Sequence, residues 1–152
     1  MDLHNNKIGY ELGRRAFEYH VFITLILLVS CSDRCEYENI ENYLSKISPE
    51  TEITFDSLTR NPWNSLYILK PYSYNEIEEY NIQIPKKYQK NFKSEASFDN
   101  SCILIFVRDN KMTGFAKIPR STADFSYLKQ NQYPKGQKFY INDKRIVTVI
   151  KE

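Results

Sequence analysis

The chain has 152 residues, of which 41% are hydrophobic and 26% are charged, and its formal net charge is +2. This length predicts one ordinary domain, and so apolar a composition excludes an intrinsically disordered protein. The small net charge argues against nucleic acid as the main partner.

The first element along the chain is an apolar segment over residues 21–30. As a helix it would be about 15 Å long, whereas the hydrocarbon core of a bilayer is about 30 Å thick. This length is typical of the apolar core of a signal peptide, and the basic residues Lys7, Arg14 and Arg15 before it favour the same interpretation. We therefore expect residues 1–30 to be a cleaved signal peptide.

The end of this segment, Leu28-Val29-Ser30-Cys31, resembles the lipobox of bacterial lipoproteins, where an aliphatic residue and two small ones precede an obligatory Cys. The resemblance implies that Cys31 carries a lipid and becomes the mature N-terminus, followed by a tether over residues 31–37. Ser32 rather than Asp follows the Cys, which implies the outer membrane where the organism has two membranes. The alternative is a buried apolar segment that happens to end in Cys.

Cleavage before Cys31 would remove both histidines, His4 and His20. The mature chain would then lack the histidine that serves as the base in a Ser–His or Cys–His catalytic pair, and it could form no His-ligated metal site. We therefore expect no metal and no cofactor. Two further thiols remain, Cys35 and Cys102. The sequence leaves open whether they form a disulfide or whether Cys102 is buried and Cys35 stays free.

The rest of the chain, residues 38–152, is predicted to be a single α+β domain. One apolar stripe at helical spacing predicts its first helix: Ile40, Tyr43, Leu44 and Ile47. Strands are predicted at residues 51–58 and 65–70. Ser73 and Glu76 have the spacing of a capping box, which predicts a second short helix beginning there.

Residues 85–100 are polar and are predicted to be irregular. Ile103–Val107 consists of five consecutive apolar residues, which predicts a strand buried on both faces. Arg108–Lys111 is predicted to be a tight turn into the next strand, over residues 112–118.

A helical turn is predicted at residues 123–128. A second hairpin is predicted from strands at residues 138–141 and 144–150, with Asn142-Asp143 as its turn. Together these elements predict an α+β fold with an antiparallel sheet of about five to six strands and two short helices.

The segment Trp63–Tyr72 reads W-x-x-L-Y-I-x-x-P-Y and precedes an acidic stretch at residues 75–79. It resembles a segment of small, uncharacterised bacterial lipoproteins, as do Ile118-Pro119-Arg120 and Ala123-Asp124-Phe125. The resemblance implies the α+β class and the lipid anchor, and it implies no activity.

Four aromatic residues, Trp63, Tyr67, Tyr72 and Tyr74, lie within twelve positions. Aromatic faces with polar tips suit protein interfaces, so these residues are candidates for binding a partner. The spacing of Trp63 and Tyr67 around a strand start equally favours a place in the core.

Lys86, Lys87, Lys90 and Lys93 form a basic run with no acidic residue between them. Such a run suits anionic lipid headgroups or an acidic partner. A solvated loop surface would produce the same pattern.

These observations predict a lipid-anchored envelope protein that works as a non-enzymatic binding module in an inhibitor, immunity-type or assembly-accessory role. Its partners would be the membrane, through Cys31, and another envelope protein, with no nucleic acid. The alternative is a small hydrolase or lyase of the envelope that needs no His and uses Tyr, Lys, Arg or carboxylate side chains. A cleft that gathers such groups with shifted pKa values would favour that alternative.

Overall fold

A computed structural model describes residues 35–151 and confirms the α+β class. Its helices are α1 (Glu38–Lys46), α2 (Glu76–Glu79) and α3 (Lys86–Glu95). Its strands are β1 (Thr51–Ile53), β2 (Ser65–Leu69), β3 (Ser101–Arg108), β4 (Lys111–Pro119), β5 (Gln132–Pro134), β6 (Phe139–Ile141) and β7 (Val147–Val149). The predicted signal peptide and the lipid site at Cys31 lie outside the described residues.

The larger sheet, sheet A, has four antiparallel strands in the order β4-β3-β2-β5. The inner strand β3 is buried on both faces from Ser101 to Val107, as its unbroken apolar sequence predicts. It turns into β4 through Asp109 and Asn110, whose φ angles of 51° and 62° fit the type I′ turn that favours Asp and Asn. The first predicted hairpin is therefore confirmed. The second exists as the antiparallel pair β6 and β7, but residues 142–146 connect its strands, so the predicted tight turn at Asn142-Asp143 is wrong.

The smaller sheet, sheet B, has three antiparallel strands in the order β1-β6-β7. Within residues 35–151, the single sheet expected from the sequence is thus two sheets with seven strands together. One face of sheet A is lined by large apolar side chains such as Leu66, Leu104 and Phe106, and the nine-residue helix α1 covers only part of it. Sheet B covers the rest, and Phe139 and Ile141 of β6 enter the same core.

The opposite face of sheet A is covered by α2 and α3. Ile77 of α2 and Phe92 of α3 pack there on Tyr67, Ile105 and Phe115. The expectation that residues 85–100 are irregular is therefore wrong for α3. That helix buries little besides Phe92, so its sequence shows almost no apolar periodicity, and packing on the sheet stabilises it.

Two local predictions around the helices are also wrong. Ser73 does not cap α2: its hydroxyl donates to the carbonyl of Lys70 (2.9 Å) and accepts from the Lys70 amide (3.0 Å), which closes the turn after β2. Residues 123–128 do not form a helical turn, because Asp124 pairs as an isolated bridge with Ile146 beside β7.

The start of the described chain lies along the edge of sheet A. Phe115 of β4 donates its amide to the carbonyl of Cys35 (2.7 Å) and accepts from the amide of Tyr37 (2.7 Å), in a parallel bridge at Glu36. The ring of Tyr37 lies over Gly114, where an added Cβ would fall 2.7 Å from the Tyr37 hydroxyl. The last part of the predicted tether is thus packed against the domain.

Cys35 and Cys102 are both free thiols, so the structure contradicts the proposed disulfide. Cys102 is buried in the core between the two sheets, whereas Cys35 packs against the cluster under α2 and α3. Sheet A separates the two sulfur atoms, and a disulfide needs Cα atoms within about 7 Å. The other interpretation, a buried Cys102 and a free Cys35, is the correct one.

Candidate functional site

Two of the four candidate aromatic residues belong to the core. Trp63 is buried, donates its indole N–H to the Thr59 hydroxyl (2.8 Å) and lies edge-on to Phe106, with ring centroids 5.2 Å apart. Tyr67 is fully buried against Tyr80, and its hydroxyl makes no hydrogen bond with any described residue. Burial and the nearby charge of Glu76 raise the pKa of Tyr67 above its usual value. The core interpretation of Trp63 and Tyr67 is confirmed.

The other two candidates lie at the surface. Tyr74 is half-buried beside α2, and burial together with Glu78 raises its pKa. Tyr72 is 74% exposed and has a φ angle of 62°, a left-handed conformation that is a genuine outlier for a bulky residue. Only Tyr72 therefore presents its whole ring to a partner.

Two exposed aromatic residues outside the sequence prediction lie at the same end of sheet A as Tyr72. Phe98 is 58% exposed and follows α3, and Tyr127 is 62% exposed in the loop after β4. Tyr72 donates its amide to the carbonyl of Ala96 (2.6 Å), and the Lys70 ammonium donates to the carbonyl of Leu128. These contacts join the three segments, and we call Tyr72, Phe98 and Tyr127 the aromatic end.

An ion-pair network stabilises the loops that present Phe98 and Tyr127. Arg120 Nε lies 3.0 Å from both carboxylate oxygens of Asp124, and its Nη1 donates to the carboxylate and carbonyl of Asp99. Asp124 also accepts from the amide (3.0 Å) and the hydroxyl (2.6 Å) of Ser126. Burial alone would raise the pKa of Asp124, but the hydrogen bonds from Arg120 and Ser126 outweigh it and lower that pKa.

Asp124→Asn should destabilise the protein in a pH-dependent way. The carboxylate has a lower pKa in the folded chain, so its stabilisation is present above the unfolded-state pKa of about 4 and is lost as the pH falls through the folded value. We expect the variant to lower the free energy of unfolding by about 2–4 kcal/mol near pH 7, because Arg120 loses its buried counter-ion. The difference between variant and wild type should shrink towards about pH 3.

Urea unfolding of both proteins across this pH range measures the effect. The matched control is Asp143→Asn at the exposed turn between β6 and β7, which should change stability by no more than about 0.5 kcal/mol. A pH-independent loss in Asp124→Asn would show that the carboxylate contributes through its shape rather than its charge.

Two further side chains near the aromatic end, those of Cys102 and Lys70, have shifted pKa values. Burial, and then the charge of Asp124, raise the pKa of the Cys102 thiol to about 12, so it stays protonated at neutral pH and is a poor nucleophile. Burial lowers the pKa of Lys70, whose ammonium donates to Leu128. Within residues 35–151, no three His, Cys, Asp or Glu side chains come together as a set that would hold a metal ion.

An open groove lies next to Tyr127. It has a volume of about 390 Å³ and is lined largely by apolar side chains, including those of Leu128, Tyr133, Val147 and Val149. Apolar grooves beside exposed aromatic residues are typical of surfaces that accept a side chain from a partner. The groove therefore extends the aromatic end towards sheet B.

The structure brings the candidate lysines together on α3. Lys86, Lys87, Lys90 and Lys93 are all exposed, and Lys86, Lys90 and Lys93 recur at i, i+4 and i+7. The inner side of the helix carries Phe92. The lysines that the sequence analysis placed in an irregular segment therefore form a regular basic stripe.

Sequence reasoning missed Phe98 and Tyr127. Phe98 is a single aromatic residue in a polar loop, with Asp99 and Asn100 after it, whereas Tyr127 stands directly before the buried Leu128 and two positions after the buried Phe125. An aromatic residue in a polar loop is a usable signal because it cannot join the periodic apolar pattern of a neighbouring helix or strand. Clustering along the chain, the criterion that selected Trp63 and Tyr67, selected core residues instead.

Comparisons of the chain with protein-family models, with curated proteins and with solved structures find no match. Within residues 35–151, no helix combines the length and the apolar character needed to cross a membrane.

Proposed function

We propose that this protein is a lipid-anchored binding module of the bacterial envelope that contacts a protein partner through its aromatic end, without catalysing a reaction. The observation that supports this most directly is the position of Tyr72, Phe98 and Tyr127, all well exposed and all at one end of sheet A. Exposed aromatic residues that cluster are rare on surfaces that contact only water and are enriched at protein interfaces.

The rigidity of the Tyr72 turn supports a binding role further. A left-handed conformation at a bulky residue costs about 1–3 kcal/mol and persists only where surrounding contacts determine it. Here Ser73 bonds twice to the Lys70 backbone, and the Tyr72 amide bonds to Ala96. A backbone held in place before binding loses little conformational entropy when a partner arrives, which favours affinity.

The lipid anchor is the second part of the proposal and is supported by the lipobox resemblance at Cys31. Cys31 lies outside the described residues, and three residues separate it from Cys35 at the edge of sheet A. The four Cα–Cα steps between the two cysteines span at most about 14 Å when the chain is extended. A lipidated Cys31 would therefore hold the domain directly at the membrane surface, in the outer membrane where the organism has two membranes.

Site-specific crosslinking in native membranes tests the binding role. A photoreactive phenylalanine analogue is placed at Tyr72, Phe98 or Tyr127, and at the half-buried Tyr140 on β6 of sheet B as the control. We expect one crosslinked protein of defined mass from the three positions and not from Tyr140. The same partner should be lost from the Tyr72→Ala/Phe98→Ala/Tyr127→Ala variant and retained by Tyr140→Ala.

Two further measurements complete the test. Equal crosslinking from Tyr140, or an unchanged partner yield from the triple variant with native thermal unfolding, would overturn the assignment of the aromatic end. Intact mass and membrane fractionation, with Cys31→Ala in parallel, test the anchor: we expect loss of residues 1–30, an added lipid mass, and a membrane pool that Cys31→Ala abolishes.

A further inference from the structure

The basic stripe of α3 lies on the same face of sheet A as the start of the described chain. Tyr88 and Phe92 of α3 contact the ring of Phe115, with ring centroids 5.2 Å and 4.9 Å away. The backbone of Phe115 bonds to Cys35 and Tyr37, and the Cys35 side chain packs against the same cluster. Cys35 and the middle of α3 therefore both border Phe115.

The direction of the chain at this edge also points towards the beginning of α3. Residues 35–37 run parallel to β4, so the backbone read back from Tyr37 to Cys35 heads towards Lys111 and the β3–β4 turn. Gln83, just before α3, bridges to Lys111 at that end. The N-terminal half of α3, with Lys86 and Lys90, thus lies on the side from which the chain enters the domain.

The charges on the α3 side of this face are predominantly positive. Lys86, Lys90 and Lys93 project from α3, and the acidic residue of that helix, Glu95, is neutralised by Lys117 on β4, with an Nζ–Oε2 distance of 2.7 Å. Glu36 is an exposed acid on the chain at the sheet edge and offsets one of the lysines. The other acids on this face belong to α2, on the side of β5, where Glu76 bonds to Asn131: Glu76, Glu78 and Glu79.

From this geometry we propose that the lysine stripe of α3, made by Lys86, Lys90 and Lys93, contacts anionic lipid headgroups beside the anchor. The inference rests on the proposed lipidation of Cys31. The four Cα–Cα steps from Cys31 to Cys35 reach about 14 Å, and a helix with its side chains is about 10–12 Å across, so the lipid can enter the bilayer level with the outer side of α3. Lysines held that close to an anionic surface each strengthen attachment about fivefold.

The proposal also gives the domain an orientation. Helix α3 rises about 14 Å from Lys86 to Glu95, and its C-terminal end is where Tyr72 bonds to Ala96. Lys93 lies about one turn before Ala96, so the aromatic end lies just beyond the C-terminal end of the stripe.

Lysine footprinting of the purified, native lipoprotein tests this. The protein is reconstituted in vesicles of phosphatidylcholine alone, or of one part phosphatidylglycerol to two parts phosphatidylcholine, and is treated briefly with an amine-reactive reagent. We expect the labelling of Lys86, Lys90 and Lys93 to be about threefold lower in the anionic vesicles than in vesicles of phosphatidylcholine alone. Labelling of Lys138 and Lys144 should be the same in both, and about 1 M salt should remove the difference.

A charge-matched pair of variants gives the second readout. In Lys86→Gln/Lys90→Gln/Lys93→Gln, the protection of the neighbouring Lys87 by anionic vesicles should disappear. In Lys129→Gln/Lys138→Gln/Lys144→Gln, which removes the same charge elsewhere, that protection should persist. Before the comparison, mass spectrometry checks that both variants carry the same lipid on Cys31. Thermal unfolding checks that both unfold at the same temperature.

The outcomes separate the two proposals. A lipid mass on Cys31 with equal labelling in both kinds of vesicle would overturn the headgroup contact and leave the anchor intact. An unlipidated Cys31 would overturn the anchor and the headgroup contact with it. Protection in native membranes but not in anionic vesicles would assign the stripe to an acidic protein instead and would equally overturn the proposal.

Discussion

Phe106→Ala should lower the free energy of unfolding by about 3–5 kcal/mol, the largest loss expected from a single core substitution in this protein. Phe106 is completely buried on β3, at the centre of the core between the two sheets. Its ring meets those of Tyr37, Phe55 and Trp63 edge-on, with centroids 5.5, 6.0 and 5.2 Å away. Removing it leaves a cavity that rigid aromatic neighbours cannot fill.

Urea unfolding followed by Trp63 fluorescence measures this loss, since the indole borders the cavity. Phe98→Ala is the matched control, because it removes the same side chain from a 58% exposed position. We expect that control to change stability by about 0.5 kcal/mol or less. If the two substitutions cost the same, the ring of Phe106 is not the centre of the core.

Arg145→Ala should lower the free energy of unfolding by about 3 kcal/mol. The Arg145 guanidinium donates to three backbone carbonyls: Nε to Thr122 (2.6 Å), Nη1 to Ile47 (3.1 Å) and Nη2 to Leu44. It thereby joins the C-terminal end of α1, where cations are favoured, to the loop after β4 and the β6–β7 hairpin. Removing it leaves three part-buried acceptors without their donor, at about 1 kcal/mol each.

The backbone at Arg145 supplies the control. Its φ angle of 63° is left-handed, so Arg145→Gly removes the same hydrogen bonds as Arg145→Ala but relieves the conformational cost. Thermal unfolding should therefore rank wild type above Arg145→Gly, and Arg145→Gly above Arg145→Ala by about 1 kcal/mol. An Arg145→Ala protein as stable as wild type would mean that the three hydrogen bonds contribute nothing net.

The elements that sequence analysis predicted well are those whose signal is local. The apolar stripe of Ile40 and Leu44 predicted α1, and the unbroken apolar run at Ile103–Val107 predicted a strand buried on both faces. The β3–β4 turn followed from Asp109 and Asn110, which tolerate the left-handed conformation that such a turn requires. In each case the residues that make the pattern are also the ones that make the contacts.

The elements that it missed depend on distant residues. Helix α3 packs through Phe92 on Phe115, which is 23 positions away, so its own sequence lacks an apolar stripe. The short strand β5 forms because Leu66 and Tyr67 of β2 offer it a free edge of the sheet. The Ser73 hydroxyl bonds to Lys70 rather than to α2, a choice between two neighbouring partners that only the course of the chain after β2 decides.

The predictions for the candidate site also divide into those that have a local signal and those that depend on distant residues. Tyr72 and the lysines of α3 were identified because exposed polar and aromatic residues stand out in a polar stretch. Trp63 and Tyr67 were core residues, as the alternative interpretation held. Phe98 and Tyr127 were missed because they join Tyr72 only where the ends of β2, α3 and the loop after β4 meet.

Local patterns in the sequence are enough to predict the α+β class, the two hairpins and the buried central strand, because side-chain periodicity and turn chemistry act over a few neighbouring residues. The sequence also provides the lipobox resemblance on which the proposed anchor rests. Contacts between distant segments divide the strands into two sheets, place Cys35 and Cys102 on opposite faces of sheet A, and bring three aromatic residues to one end. Those outcomes depend on which apolar faces cover one another, and that is settled by contacts between residues far apart in the chain.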